Sequence, residues 1–399
     1  MAYFKSYLYT AVRIIEAHKG EVPLATFLKN YFAENKKYGA KDRKQISSLC
    51  YYYFRLGNAA ITLPIIDRIV LGVFLCETEP SDFMSTIKPE WNKKMNQSLK
   101  KKLSLVKNEF NINDVFPLTS ELSETIDPEE FSQSLLMQPD LFLRVRPRVR
   151  LGILTKLKKT KLAFRLIDDD CIALPNSTKV DDYFTTDKEV VIQDYNSQKV
   201  LDFLKPQYAT LKTPCITAWD CCAASGGKSI LLFDIFNQRV DLTISDIRPK
   251  IILNLSHRFL RTGIKAYNYF IADLTSDQFE NSLPLEQRTK LKPKIIICDV
   301  PCTGSGTWGR TPEQLHFFNP EKIIEYSSKQ KKIVANAIPY LQEDGLFIYI
   351  TCSVFKKENE EVADFIKEKF DLLLIEKKIL KGYDKKADNM FVAVFKKNP

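Results

Sequence analysis

The stretch 294-KIIICDVPCTGSGTWGR-310 carries the fold in its first residues and the chemistry in the rest. Ile295, Ile296 and Ile297 form a short apolar run with no polar face, the mark of a strand covered on both sides in a parallel sheet. Asp299, Pro301 and Cys302 follow at its end, and Gly304 and Gly306 open the turn. Downstream, 349-YITCS-353 repeats the arrangement, with Cys352 just past another apolar strand. Upstream, 220-DCCAASGGK-228 lies where a strand turns into its helix.

Around these three stretches, strands are expected at residues 215–219, 241–245, 267–271, 294–298, 346–350 and 391–395. Helices fit between them at 228–236, 250–262 and 321–341. Alternating strands and helices predict a mostly parallel, Rossmann-like α/β sheet from about residue 196 onward. The insertion at 277–292 is read as a surface excursion.

Residues 1–115 carry helical periodicity instead, with Leu8, Ala11, Val12 and Ile15 on one face and Ile46, Leu49, Cys50, Tyr53 and Phe54 on another. An all-α N-terminal domain is expected there. Residues 116–195 contain strand-like 141–146, helix-like 151–157 and strand-like 171–174, which predicts a small α/β module. Arg144, Arg146, Arg148 and Arg150 alternate along the first of these segments. Unless Pro147 breaks the register, all four point to one face, a row suited to phosphates; a charge guard on an edge strand is the alternative.

The 399 residues, 45% apolar, are enough for two or three domains. The formal net charge of +10 favours a polyanionic partner, because lysine and arginine displace condensed counterions from a phosphate backbone. Lys36, Lys37, Lys41, Arg43 and Lys44 form one candidate nucleic-acid surface. Nine cysteines in a chain this long do not make a dense disulfide framework. No secretory pattern opens the chain and no apolar run approaches the roughly 20 residues that cross a bilayer, so a cytoplasmic protein without a membrane partner is expected.

Two thiols brought to one end of a parallel sheet, beside the Ser225-Gly226-Gly227 turn, suggest covalent attack on an electrophilic ring rather than metal binding. Cys221 and Cys222 lack the partner pair of a zinc site, and no metal is expected. The turn lacks P-loop spacing, so it gives little support to ATP hydrolysis. Its small residues, Cys222, Ala223, Ala224, Ser225, Gly226 and Gly227, instead let a nucleoside ligand approach the amides of a helix N-terminus. Asp246 ends the next strand, where its carboxylate can take ribose hydroxyls, with Arg248 close by; Asp273 ends the strand after that, within reach of an adenine amino group.

With 220-DCCAASGGK-228, 299-DVPCTGSGTWGRTPE-313 and 351-TCSVFKKENEE-361 in this order, the chain resembles the RsmB/NSUN family of S-adenosylmethionine-dependent RNA cytosine-C5 methyltransferases. The segment 388-DNMFVA-393 is a weaker match, and 191-VIQDYNSQ-198 resembles the lead-in to the family's catalytic domain. Lys41-Asp42-Arg43 and the following helix resemble the NusB-like domain of the family's bacterial 16S rRNA enzymes.

The resemblance implies S-adenosylmethionine as cofactor, held by residues 222–228, Asp246, Arg248, Asp273, Asp299 and Pro301. It implies Cys352 as the thiolate that adds to cytosine C6, and Cys302 as the group that assists loss of the C5 hydrogen and enzyme release. Asp299 would bind the N3 or N4 edge, with Lys228 organising it. Chemistry alone leaves the two cysteines interchangeable, since both sit at sheet ends and a Pro-Cys thiol attacks in DNA cytosine methyltransferases. The implied partner is RNA, first 16S rRNA or a small-subunit assembly intermediate, then tRNA, bound by a monomer. An N- or O-methyltransferase and a non-catalytic RNA-binding assembly factor are the competing readings.

The chain departs from the family pattern at Ser225, where proline is common, at Gly309 and Arg310, near Asn389 and Met390, and at Ile251, where arginine is usual. Trp308 is either an RNA-stacking residue or a core contact.

Overall fold

The computed structural model describes residues 2–206 and 214–398. The chain divides into two compact units, one of residues 1–122, 126–139 and 307–320, the other of 123–125, 140–306 and 321–399. The borders expected at 115/116 and 195/196 are not where these units part.

The first unit is helical, as its periodicity predicts. Helices Ala2–Ala17, Leu24–Glu34, Ala40–Arg55 and Ile65–Cys76 bury Leu8, Ala11, Ile14, Leu28, Phe32, Ile46, Leu49 and Phe74. Residues 307–320, which directly follow the cysteine-bearing turn, pack within it. Trp308 is 1% exposed, with its ring 4.8 Å from that of Phe318 and 6.2 Å from that of Phe116, so it is a core residue rather than an RNA-stacking one. Buried Arg55 donates to the carbonyls of Leu135, Met137 and Gly309 at 3.1, 2.9 and 2.9 Å. Three carbonyls satisfy a buried guanidinium as a helix C-terminus would.

The second unit holds two sheets. In the smaller, β1 (Leu141–Val145), β2 (Arg165–Leu166), β3 (Cys171–Leu174) and β4 (Val190–Ile192) lie in the order β2-β3-β1-β4, all antiparallel. Helix Arg150–Lys158 covers it through Ile153 and Leu157. This is the small α/β module, but the arginine row inside it does not form. β1 ends at Val145, residues 147–149 make a 3-10 turn at Pro147, and Arg150 opens the helix. β1 is also an inner strand, so an edge guard is excluded as well. Arg144 and Arg146 are buried and both pair with Asp234 at 2.6 Å, while Arg150 pairs with Asp169. Two buried guanidinia have been spent on one carboxylate of the neighbouring helix, not on phosphates.

The larger sheet comprises β5 (Ile216–Asp220), β6 (Val240–Asp246), β7 (Asn268–Ile271), β8 (Ile295–Asp299), β9 (Leu346–Thr351), β10 (Leu372–Leu380) and β11 (Met390–Lys397), in the order β10-β11-β9-β8-β5-β6-β7. β5 to β9 are parallel, and β11 runs against both its neighbours. Side chains alternate between two cores: Ile295 and Ile297 join one, Ile296 and Cys298 the other. Helices Gly227–Ile235 and Pro249–Thr262 cover the first face; Glu321–Ala337 and Glu360–Phe370 cover the second. Each isoleucine of the 295–297 run therefore gains a full burial term of about 1.5–3 kcal/mol. The 277–292 insertion is anchored rather than a free excursion, because Phe279, Leu283 and Leu291 enter the second core.

β5 is the switch point of this sheet. From it the chain moves outward to β6 and β7, then returns to its other side at β8 and β9. Ligands of open α/β sheets bind in the crevice beyond the strand ends at such a point. Asp220 ends β5 and Asp299 ends its neighbour β8.

Candidate active site

Cys302 follows β8 and Cys352 follows β9, and those strands are hydrogen-bonded neighbours. Their sulfurs lie 3.3 Å apart as free thiols, both partly exposed. The two loops are tied directly, since the Gly306 amide donates to the Cys352 carbonyl at 2.8 Å and the Asn389 amide to the Gly306 carbonyl at 2.9 Å. A Cβ on Gly306 would stand 2.3 Å from the Asn389 carbonyl oxygen and 2.8 Å from that of Cys352. Glycine is required here by close backbone approach.

Side chains complete the fastening. Asn359, fully buried, accepts from the Thr351 hydroxyl at 2.6 Å and donates to the Ser353 carbonyl at 2.9 Å, which fixes the Cys352 turn from both ends. Glu358, also fully buried, accepts from the Thr303 amide at 2.9 Å and from the hydroxyls of Thr303 and Ser353 at 2.5 Å each. Gln330 adds a fourth bond at 3.0 Å.

Lys228, in the first turn of helix Gly227–Ile235, places Nζ 2.6 Å from Asp299. Burial alone would lower the Lys228 ammonium, but Asp299 outweighs it, with Cys352 and Asp220 adding, and the group is raised above its ordinary value. Lys228 is thus a fixed cation at the strand ends. The Cys302 thiol is raised as well. Its contact with Cys352, then burial, then the nearby Glu358 push it well above the ordinary thiol range.

Asp220 was not singled out among the residues of its motif. It is 1% exposed, its Oδ2 accepts from Ser229 Oγ at 2.5 Å, and its Oδ1 has no partner among the described residues. Burial, helped by Asp299, pushes its carboxyl up to about 7 against the Ser229 bond. Glu358 was missed too, although it stands inside a quoted motif; one carboxylate in a lysine-rich run gives no local signal.

The nucleoside end of the crevice has its own geometry. Gly226 has φ +78°, and a Cβ there would meet the Phe259 ring at 2.7 Å. No side chain caps helix Gly227–Ile235, so its first-turn amides are available to a carboxylate. Asp246 is 6% exposed and accepts from the Ala224 amide at 3.0 Å. Arg248 also reaches it, from Nε at 2.8 Å and from a terminal nitrogen at 3.0 Å, and these bonds hold the carboxyl below its ordinary value in spite of burial. Arg248 is half-exposed, so a ribose can take its place on Asp246 without disturbing the core. Asp273 uses Oδ1 on the Thr275 amide and hydroxyl at 2.9 and 2.7 Å, a local turn at the strand end. Pro301 is exposed, and its carbonyl accepts from Gln330 at 3.1 Å.

Ser225, the departure from proline, accepts through its carbonyl and hydroxyl from Arg258 at 2.9 and 3.2 Å. Arg258 in turn pairs with buried Asp187 at 2.8 Å. A hydrogen-bonded tether thus does the stiffening that a proline ring would do. Cys221, Cys222 and Cys298 pack together behind the turn, and burial is the chief cause of the raised thiol at Cys221 and Cys298. Cys221 and Cys298 are core residues, with Cys222 partly buried against them, and no described helix is long and apolar enough to cross a membrane.

Similarity searches align with this geometry. A "Probable ribosomal RNA small subunit methyltransferase B" from Bacillus subtilis is 29% identical over 218 residues, which is 53% of this chain and 45% of that protein. A ribosomal RNA small subunit methyltransferase F from Psychromonas ingrahamii is 35% identical over 151 residues, 38% of this chain and 30% of its own. The chain spans under half the length of these curated relatives. Among solved structures, PH0851 superposes with a TM-score of 0.68 at 18% identity over 97% of each chain, a likeness of fold. Residues 211–396 match the family described as 16S rRNA methyltransferase RsmB/F, and the similarity to both curated relatives is to proteins of that kind.

Proposed function

We propose that this chain methylates C5 of a cytosine in RNA, with 16S rRNA as the first-choice substrate, through a covalent bond between Cys352 and C6. The observation that carries the reading is the pair of free sulfurs 3.3 Å apart, next to the Lys228–Asp299 ion pair at the strand ends. The names of the curated relatives support small-subunit rRNA over tRNA. S-adenosylmethionine fits the crevice described above: the uncapped helix end would hold its carboxylate, Asp246 its ribose and Asp273 its adenine, and it would supply an electrophilic methyl group. A cytosolic monomer acting on exposed or partly assembled rRNA is the matching physical setting.

C5 of cytosine is a weak nucleophile, so sulfur must act first. The Cys352 thiolate adds to C6, and the C5=C6 π pair moves toward C5 while the N3 edge takes up a proton. Asp299, held by Lys228, accepts from that protonated edge and stabilises the charge change. After methylation the C5 hydrogen leaves as a proton with the help of Cys302. Its bonding pair restores C5=C6, the C6–S pair returns to Cys352, and N3 gives its added proton back to solvent. The target base must leave its stack to reach these sulfurs, which favours loops and other accessible RNA.

The test uses radiolabelled methyl donor, unmodified 16S rRNA and tRNA, and digestion of the product to nucleosides. Label in 5-methylcytidine is expected, in the rRNA arm first. Label confined to N- or O-methylated nucleosides would refute the C5 assignment, and no label with retained RNA binding would favour a non-catalytic assembly factor. Cys352→Ser should abolish transfer, whereas Cys302→Ser should accumulate a protein-linked RNA adduct.

A further inference from the structure

Topology makes the two cysteines near equivalents, since each follows one of two adjacent parallel strands. What distinguishes them is their neighbours. Glu358 joins both loops: Oε1 takes the Thr303 amide and Gln330, and Oε2 takes the Thr303 and Ser353 hydroxyls. Thr303 and Ser353 each directly follow one of the cysteines. Four donors on two oxygens are the complement of an ionised carboxylate, and the knot extends through Ser305, whose hydroxyl lies 3.2 Å from those of both Thr303 and Ser353.

We propose that Glu358 is a positioning residue whose carboxylate clamps the two cysteine loops together and makes the surroundings of the sulfurs unequal, so that Cys302 is the hydrogen-bond donor of the pair and Cys352 the acceptor. The groups acting on the sulfurs are each other, Glu358, the Tyr349 phenol and, on the Cys352 side, Lys228 paired with Asp299. Glu358 takes two bonds from Thr303, the residue after Cys302, and one from Ser353, the residue after Cys352, so its charge is tied more closely to the Cys302 loop. Tyr349 is itself fastened to this anchor, donating to the Glu358 carbonyl at 2.6 Å and to Gln330 at 3.1 Å. The inference rests on the proposed reading only for which sulfur attacks; the clamp is a property of the resting protein.

The test is the pH dependence of iodoacetamide alkylation, followed by mass spectrometry of the cysteine peptides in the full chain without RNA. In Cys302→Ser protein the Cys352 midpoint is expected at lower pH than the Cys302 midpoint in Cys352→Ser protein. Equal midpoints, or the reverse order, overturn the proposal without any change at Glu358. Adding Glu358→Gln to Cys352→Ser should move the Cys302 midpoint down and speed alkylation near pH 8 by about fivefold or more, because a like charge has been removed. Glu358→Asp should restore most of the original midpoint. A merely structural role predicts a faster plateau with an unmoved midpoint, and that result also overturns the proposal. With both cysteines present, Glu358→Gln should lower kcat by about tenfold or more while leaving the RNA KM within about twofold. If the wild-type protein methylates no RNA, the proposed function falls, and the alkylation midpoints still decide the role of Glu358.

Discussion

Asp220→Asn offers a test of the crevice that depends on no substrate. The wild-type carboxyl is 1% exposed, and its value rises from 3.8 to about 7 on folding, with burial the main cause. The folded state therefore holds a proton that the unfolded chain has released. Stability from this group is fully present below the unfolded value and is lost as pH rises through the folded one. A shift of about three units corresponds to about 4 kcal/mol in total, of which about 3 kcal/mol is lost between pH 5 and pH 8.5. Asparagine keeps the shape and cannot ionise. It leaves an amide nitrogen where Oδ1 had no partner, a cost that does not vary with pH and cancels in the comparison. Hydrogen exchange of the β5 amides, which run up to Asp220, reports opening of the unit concerned. The wild type should lose about 3 kcal/mol more protection free energy than Asp220→Asn between the two pH values. A difference below about 1 kcal/mol would show that Asp220 is ionised at little cost, and that the acidic end of β5 is more polar than its burial implies.

Asp234→Ala should cost about 3–5 kcal/mol by urea unfolding, because it strands the buried guanidinia of Arg144 and Arg146, each now 2.6 Å from its carboxylate. By the same reasoning Arg144→Gln should destabilise the protein yet leave the salt slope of RNA binding unchanged, and a flatter slope would restore Arg144 to the RNA footprint. Gly306→Ala places a methyl group 2.3 Å from the Asn389 carbonyl oxygen, so the loops must part; a stability loss of about 1–3 kcal/mol and a larger fall in methyl transfer are expected, measured by thermal unfolding and initial rate.

The sheet was legible because its signals are local. The apolar 295–297 run, the strand at 346–350 and the glycine turn at 226–227 need only chain neighbours to be read, and the observed strands fall within a few residues of expectation. β10 was missed because Leu372–Leu380 alternates weakly and lies at the sheet edge, half-exposed along most of its length. The arginine row failed for a different reason. Period-two spacing correctly placed Arg144 and Arg146 on one side, but nothing in the segment announces Asp234, some ninety residues away, as their partner. Asp246 was legible as a carboxylate at a strand end, while its engagement by Arg248 follows from a two-residue turn that a motif comparison passes over.

Spacing delivered both thiols to one place without ranking them, and the ranking comes from groups that are remote in sequence. Lys228 reaches the crevice from the helix after β5, on the far side of β8 from β9, and Glu358 reaches it from the loop ahead of helix Glu360–Phe370. One brings a positive charge to the strand-end carboxylate and the Cys352 sulfur; the other brings a negative charge to the turn that carries Cys302. At a 3.3 Å separation two thiolates would repel strongly, so the pair holds one proton more comfortably than none. Under the proposed mechanism, a proton shared by the pair would leave one sulfur to attack and the other to donate a hydrogen bond as the first departs. On that proposal, the division of labour between two identical side chains is an electrostatic consequence of which helix follows which strand.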